Sequence, residues 1–418
     1  MHTLRTSLFA ALFAALGLGA LAGAASANGF FINEHDAKVT GRAGATTATD
    51  EDASSVVFSP GGIALGEGTQ VSITASLIAA KGSYFDANNM DARTDTDSSP
   101  AVLPSIFATS RINPMIAVGI GFHLPFGLAL SWPDNHAQAD VIQDQSLRTY
   151  FITPAVGVNL DKQVPGLSVG AGLDLVPSTV KLEQAIVFGD TRGTAVLGGT
   201  AFGIGGRLGA QYRPPQLKQL RVGAMWRSQV NLDYSGTADF DIDPAFRSQL
   251  PPDGDISTKI RLPQAIAGGV AYNATPELQL ELDAMWLNWK KFDKLQIDLP
   301  GGFDPTVAPQ DYGNTVTLRV GAEYALPKQK AAVRVGYIYD PTPIPSTTVS
   351  ARLPDADRHD ITAGGSYSLG DYDVHLGLLW VLPASQTTSD QEYMPVFKGK
   401  YEVTAFVASL SLAGRFGK

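Results

Sequence analysis

The sequence predicts an all-β protein: a transmembrane antiparallel barrel of about fourteen strands, preceded by a separate N-terminal piece that those strands surround. Three observations carry this. Apolar and polar residues alternate with a period of two in segment after segment. Short polar turns at one end of these segments trade with long mixed connections at the other. No stretch after the leader holds the roughly twenty uninterrupted apolar residues of a membrane helix, although the 418-residue chain has a mean hydropathy near zero, with 43 glycines and 13 tyrosines. A barrel strand needs only about 9 to 11 residues and alternates between lipid and lumen, which dilutes its mean hydropathy.

The chain opens with His2 and Arg5, an apolar run from Leu8 to Leu21, and small residues ending in Ala25-Ser-Ala27. This pattern predicts a secretory leader over residues 1–27, cleaved after Ala27. An uncleaved membrane anchor is the other reading, disfavoured because the run is short and no stop-transfer flank follows it. Residues 28–66 are too polar and glycine-rich for a strand. Asp50 and Asp52 suit short helical turns as caps, and Phe30, Phe31, Val56, Val57 and Phe58 offer apolar contacts to a barrel wall or to a ligand.

Residues 67–418 read as the barrel. The first strand spans about 69–85, where Val71, Ile73, Ala75 and Leu77 alternate with Ser72, Thr74 and Ser76. A polar loop at 88–99 leads to strands near 101–111 and 114–124, joined at Asn113-Pro114. The long mixed segment from Pro125 to Gln145 is too apolar to be merely solvated. Strands follow near 148–160 and 167–182, then a mixed loop at 184–200 and strands near 201–212 and 221–234.

The clearest face assignment lies at 221–234. Arg221, Gly223, Met225, Arg227, Gln229, Asn231 and Asp233 fall on one face, and Val222, Ala224, Trp226, Ser228, Val230, Leu232 and Tyr234 on the other. The first face is expected in a polar lumen and the second against lipid. The separation recurs in strands near 276–290, 315–324 and 332–340. Trp226, Tyr234, Trp286, Trp289, Tyr337 and Tyr339 are expected in interfacial aromatic girdles. Strands near 260–273, 358–368, 372–383 and 401–416 complete the set. An even number puts both chain ends on the periplasmic side and leaves no open edge.

Composition excludes several functions. No cysteine is present, so disulfides and thiolate metal sites are impossible, and the six histidines lack metal-binding spacing. A net charge of −9 argues against nucleic acid. No phosphate-binding GxxxxGK[ST] motif appears, so no metal, cofactor or nucleotide is implied.

A set of short motifs carries a resemblance. Gly29-Phe-x-x-Asn-Glu34, Gly41-Arg-Ala43, Glu51-Asp-Ala-Ser54 and Pro60-Gly-Gly62 resemble the plug, or hatch, of the FadL-like outer-membrane transporters of long-chain fatty acids and other hydrocarbons. The similarity continues at Trp226-Arg-Ser228, Tyr234 to Phe240, Leu262-Pro263, Trp286 with Trp289, Arg334-x-Gly-Tyr337, Asp340 with Pro343, and Gly399-Lys-Tyr401. Each is weak alone; their common order covers nearly the whole mature chain. The chain departs from the family pattern at Ser59-Pro60-Gly61, usually Asn-Pro-Ala, and at its end, where Gly417-Lys418 follow Phe416.

The resemblance implies a fourteen-stranded barrel with residues 28–66 as hatch, in the bacterial outer membrane, and passive uptake of hydrophobic compounds without catalysis. The segment from Pro125 becomes the third extracellular loop, with Leu128, Leu130, Trp132, Val141 and Ile142 as capture candidates beside Ile186, Val187 and Phe188 of the next mixed loop. A loop packed on itself or on lipopolysaccharide is the alternative. Phe30, Phe31, Val57 and Phe58 are pocket candidates. The family's inward kink of the third strand, a lateral outlet, maps to Gly119, Gly121 and Pro125; glycine permits bending and proline lacks a ladder donor, and ordinary barrel shaping explains them equally.

Arg207, Arg227, Arg319 and Arg334 are candidate partners for a carboxylate headgroup, and cross-wall ion pairs explain them as well. Implied partners are hydrophobic small molecules, outer-membrane lipid and lipopolysaccharide, and the barrel-assembly machinery, with a monomer expected. Two other functions stay open: a general porin for small polar solutes, and a lipid hydrolase, for which His123, His136 and His359 lie in no recognisable catalytic motif.

Overall fold

The computed structural model describes residues 28–389 and 397–417; the leader expected at 1–27 lies outside the described residues. In chain order the strands are β1 (Thr69–Asp86), β2 (Asn89–Asp95), β3 (Ala101–Arg111), β4 (Ile116–His123), β5 (Gly127–Ser131), β6 (Asp144–Thr149), β7 (Phe151–Asn159), β8 (Leu167–Phe188), β9 (Thr191–Tyr212) and β10 (Leu220–Arg227). They continue as β11 (Val230–Asp241), β12 (Gly254–Leu262), β13 (Ala265–Asn273), β14 (Leu278–Leu287), β15 (Lys294–Asp298), β16 (Thr306–Pro309), β17 (Thr315–Leu326), β18 (Ala331–Asp340), β19 (Arg358–Ser368), β20 (Tyr372–Thr387) and β21 (Gly399–Phe416).

Several of these are two halves of one wall strand, and the described residues form a fourteen-stranded antiparallel barrel with additional strands outside it. β1 closes the wall by pairing with β3 on one side and with β21 on the other, from Thr69 opposite Phe416 to Asp86 opposite Gly399. Closure pairs the strands around the ring, so the sheet satisfies most of its backbone polar groups internally, as a hydrocarbon environment requires, with one local interruption beside the upper half of β3. No described helix is long and apolar enough to cross a membrane.

The outward surface carries an apolar belt around the ring, including Leu77, Ile120, Val156, Leu173, Ile204, Val222, Val270, Leu282, Val320, Val335, Ile361, Leu376 and Leu410, all exposed. Inside the same height the wall is polar: Thr74, Asp174, Arg207, Glu281, Asp283, Arg319, Arg334 and Ser411 are buried. This is the expected alternation.

Above the belt the polarity of the two faces reverses. The span from Arg227 to Ser235 is one residue longer than the span from Arg207 to Thr200 that it opposes on β9. The extra residue, at Ser228-Gln229, acts as a bulge and turns every later side chain to the opposite face. Val230, Leu232 and Tyr234 are therefore buried inside the barrel, not against lipid, while Asn231 and Asp233 point out to water. The partner strand makes the same slip at Pro263-Gln264, so Leu262 and Ala265 both face inward.

Two girdle assignments change with it. Tyr234 is interior, its hydroxyl bonded to Ser178 Oγ at 2.6 Å, and Trp289 is fully buried. The expected loop at 184–200 is instead the top of a hairpin between two 22-residue strands, β8 and β9. It reads as a loop because both rows are mixed: Val187 and Val196 interrupt the outward row of Glu183, Arg192 and Thr194, and Gln184 interrupts the inward row of Leu182, Ile186 and Leu197.

Candidate functional site

Residues 28–66 cross the inside of the barrel as two short helices, α1 (Ala37–Gly41) and α2 (Ser55–Phe58), and irregular turns, nearly all buried. A buried irregular segment carries backbone donors that need partners, and the polar inner wall supplies them. Asp36 caps α1 by accepting from the backbone N–H groups of Lys38 (2.9 Å) and Val39 (3.2 Å). Asp283 Oδ2 accepts from Thr46 and Thr47 N–H, both at 2.9 Å, and Glu281 accepts from Ala48 N–H at 2.7 Å and from Arg42 at 2.9 Å. Lower down, Glu51 pairs with Arg213 and with Arg221 (2.7 Å), and Asp52 with Lys38 (2.5 Å) and Arg415 (3.6 Å). The Glu51-Asp52 motif thus ties the segment to β9–β10 and to β21.

At the upper end, Asn28 Nδ2 donates to Thr317 Oγ1 (2.8 Å) and Asp340 Oδ1 (2.9 Å), and its Oδ1 accepts from Trp289 Nε1 (2.6 Å) and Thr315 Oγ1 (2.7 Å). Asp355, in the connection between β18 and β19, accepts from Thr342 Oγ1 (2.7 Å) and Gly29 N–H (3.3 Å). Burial pushes its carboxyl up to about 7, against the opposing pull of Arg358.

Directly above lies an apolar cavity of about 840 Å³ including its open mouth. Its floor is Phe30, which meets Trp289, Phe292 and Phe126 edge-on at 4.8, 5.7 and 6.0 Å between centroids. Leu128, Leu147, Val180, Leu182, Leu197, Tyr234, Ile256, Ile260, Leu295, Ile297, Tyr312 and Leu353 form the sides, with Gln145, Lys181 and Arg352 among the polar residues of the lining. The face reversal at Ser228-Gln229 and Pro263-Gln264 is what turns Tyr234 of β11 and Ile256 and Ile260 of β12 inward to join this lining.

The wall beside this cavity is interrupted. β4 pairs with β3 only from Arg111 opposite Ala117 up to Ile106 opposite Phe122. Past His123 the chain turns inward: Ile32 N–H donates to Pro125 O at 2.9 Å, Gly127 N–H to Phe30 O at 3.0 Å, and Phe126 is fully buried. β5 then pairs with β6, so among the described strands the Ala101–Ser105 half of β3 pairs with β1 alone. Pro104 in that half has no N–H to leave unpaired. Leu103, Leu124 and Ile32 pack there with Phe122 and Tyr150, whose rings stack at 6.2 Å.

A family model described as outer membrane protein transport protein (OMPP1/FadL/TodX) matches residues 18–416. The chain belongs to this family. The long-chain fatty acid transport protein of Salmonella typhi is 22% identical over 406 residues, covering 89% of this chain and 91% of that protein. Among solved structures, a Pseudomonas aeruginosa FadL homologue superposes with a TM-score of 0.82 at 19% identity, covering 93% of this chain and all (100%) of the other. The Pseudomonas putida toluene transporter TodX gives 0.73 at 17% identity, with 93% and 100% covered.

Membership in the OMPP1/FadL/TodX family places the protein in the outer membrane, as a transporter of hydrophobic compounds and not an enzyme. Within that frame the sequence-derived candidates separate. Phe30 and Leu128 line the cavity, and Leu130 lines a smaller one of about 350 Å³. Phe31 packs on Phe126 at 5.5 Å. Val57 and Phe58 lie lower, packed with Ile63, Phe107 and Ala117, away from the cavity. Trp132, Val141 and Ile142 are buried within their own loop: Trp132 stacks on His136 at 5.3 Å, donates to Ala351 O at 2.9 Å, and His136 Nε2 meets Ile142 O at 2.6 Å. Ile186 joins a small cluster with Leu197 and Ile297, Val187 is exposed, and Phe188 stacks on Phe246 at 5.3 Å.

Gly119 and Gly121 sit in regular β4, before the departure. A side chain at Gly119 would come within 2.5 Å of Val56, and one at Gly121 within 3.2 Å of Val57, so their bareness admits α2 and does not bend the strand. The departure itself begins at Leu124-Pro125.

The four arginines also divide. Arg207 pairs with Asp174 (2.8 Å) and donates to Val57 O (2.8 Å), and Arg334 pairs with Glu323 (2.6 Å). Arg319 lies against the backbone at Gly44, with half-buried Glu34 as an electrostatic neighbour, and forms no ion pair or hydrogen bond among the described residues. Arg227 is buried, with no ion pair or hydrogen bond from its guanidinium among the described residues; Nε and Nη2 are orphaned. Its Cζ lies over the rings of Phe126 (4.8 Å) and Phe31 (5.2 Å). The cavity-lining residues missed from sequence, such as Ile256, Ile260 and Phe292, had one signal: Lys259 and Arg261 alternate with Ile260 and Leu262, which marks water outside and an apolar surface within.

Proposed function

We propose that this protein takes up long-chain fatty acids or related hydrophobic compounds passively. Solute is captured at the extracellular loops, held in the apolar cavity over Phe30, and released sideways through the wall interruption beside Phe126. The carrying observation is the order of parts along the axis: an apolar cavity above, a plug-like segment bonded around the ring below. Phe30 and Phe31 meet the solute, and their displacement couples binding to the inward turn at Pro125, because Phe30 O and Ile32 N–H are bonded to that turn.

Each buried methylene contributes on the order of 0.8 kcal/mol, less the cost of immobilising the chain. A series of modest sites serves passage better than one deep trap. Arg227 favours an acid over a neutral hydrocarbon, because a buried guanidinium without a counter-ion is costly and a carboxylate offers it two charge-assisted hydrogen bonds.

The test uses purified protein, with palmitate binding by equilibrium displacement and sugar entry into proteoliposomes by swelling. Saturable palmitate binding without swelling is expected. Rapid sugar entry without palmitate binding would replace this reading with a polar porin.

A further inference from the structure

The outward face above the apolar belt carries a cleft of about 660 Å³ including its mouth, between β12 and residues 288–296. It exists because β14 stops at Leu287 and β15 rejoins β12 only at Ser257 and Thr258. Asn288 N–H bonded to Gln264 O (3.0 Å) closes it below, and Thr258 Oγ1 bonded to Gln296 O (2.6 Å) closes it above. Buried Phe292 lies behind, part of the wall between this cleft and the inner cavity.

Four cations line the cleft: Lys259, Arg261, Lys291 and Lys294. Arg261, Lys291 and Lys294 form no ion pair among the described residues; Lys259 has one, to Asp233 at 3.3 Å, with both side chains largely exposed. Two acids share the lining. Asp298 is already engaged by Ser257 Oγ (3.0 Å) and Gln296 Nε2 (2.9 Å), and Asp293 is the other. Several other upper-wall cations sit beside an acid: Lys81 and Arg93 both meet Asp95, at 2.8 and 2.6 Å, and Lys181 meets Glu183 at 2.8 Å. The cleft instead gathers four cations with a single ion pair among them in the described residues.

Its height identifies the occupant. Trp226, Ile266 and Trp286 are cross-strand neighbours that form the top outward row of the belt on these strands. The next outward positions on the neighbouring upper strand are Arg261 and Lys259. Cations set just above an aromatic row lie at the depth of lipid headgroups, and in the outer leaflet of an outer membrane those headgroups are phosphorylated glycolipid.

We propose that this cleft is a binding site for a phosphate of outer-leaflet lipid A. It rests on the outer-membrane placement and is independent of the transported compound.

The experiment adds bis-phosphorylated lipid A, its dephosphorylated form, inorganic phosphate or palmitate to the purified full chain in neutral detergent and counts bound lipid by native mass spectrometry. Replacing Lys259, Arg261, Lys291 and Lys294 together by Gln is expected to weaken lipid A binding about tenfold or more, since each cation near an anionic surface contributes measurably. A control with Arg93 and Lys400 changed to Gln, two upper-wall cations outside both cavities, and palmitate binding by both variants, should stay within about twofold of the parent. Lys291→Glu alone is the second variant, expected to lose about threefold or more with the fold intact. The proposal is overturned by retention of lipid A binding in both cleft variants, by equal loss in the control, by equal binding of dephosphorylated lipid, or by displacement with inorganic phosphate or palmitate. Palmitate binding reports on transport separately, so the two readings fail independently.

Discussion

Replacing Arg227 by Leu separates a ligand-binding arginine from a structural one. The guanidinium is buried, faces two phenylalanine rings at 4.8 and 5.2 Å, and leaves Nε and Nη2 without partners. A carboxylate meeting those donors gains about 1.5–3 kcal/mol for a charged hydrogen bond, or roughly ten- to a hundredfold in affinity. Methyl palmitate has nearly the same apolar surface and no charge, so the ratio of its Kd to that of palmitate isolates the headgroup. The parent protein should prefer the acid by about ten- to a hundredfold, and Arg227→Leu should bring the ratio near one while methyl ester binding changes little. Stability works in the opposite sense: losing two cation–π contacts costs about 1–2 kcal/mol, and removing an unpaired buried charge offsets that or more. Heat-modifiable electrophoresis should therefore find the variant about as stable as the parent. An unchanged acid-to-ester ratio refutes the headgroup role, and a strongly destabilised variant that weakens both ligands alike marks Arg227 as structural.

Three further outcomes are expected. Asp355 has a folded-state carboxyl raised to about 7, above its unfolded value near 4, so the fold binds its proton more tightly; that contribution is full below the unfolded value and is lost as pH rises through about 7. Thermal stability should fall between about pH 4 and 7, and Asp355→Asn should remove that part of the slope; an identical slope in the variant rejects the assignment. Changing Glu281 and Asp283 together to Ala orphans the N–H groups of Thr46, Thr47 and Ala48, at about 1–3 kcal/mol each, and leaves the Arg42 guanidinium with only Glu323, at 4.0 Å, among the described residues. Residues 42–49 should become protease-sensitive and bilayer conductance should rise; unaltered conductance and cleavage count against the latch. Trp132→Ala should cost about 3–5 kcal/mol of stability with palmitate affinity nearly unchanged, whereas a tenfold affinity loss at unchanged stability makes Trp132 a capture residue.

The barrel was legible because lipid enforces alternation: Val222, Ile266, Leu282 and Val320 face out where the period of two puts them. Lower strand ends fell within a few residues of those observed, whereas upper ends fell short: β8 runs on to Phe188, β9 begins at Thr191 and β11 reaches Asp241. The misplacement of Val230, Leu232 and Tyr234 came from a single extra residue, which leaves the alternation of residue types visible and reverses its meaning. Trp289 read as a girdle residue because a tryptophan beside an apolar strand satisfies that pattern, whereas its indole N–H is consumed by Asn28, distant in sequence. Of the candidate site, Phe30 and Leu128 were within reach through their place in recognisable segments. Phe292, Tyr312 and Leu353 were not, because three separate connections bring them together. Nothing local distinguishes Arg227 from Arg207; only the absence of a facing acid does.

The slip at Ser228-Gln229 and Pro263-Gln264 also divides responsibility along each strand. Beneath it, substitutions answer to lipid outside and to the plug within. Beyond it, the same strands answer to water outside and to the apolar cavity within. If the cavity holds the solute as proposed, a change of cargo preference needs substitutions only in the upper tier, at Ile256, Ile260 or Tyr234, without altering the lipid-facing belt or the bonds that hold residues 28–66. One set of strands thus carries two tiers with separate physical duties.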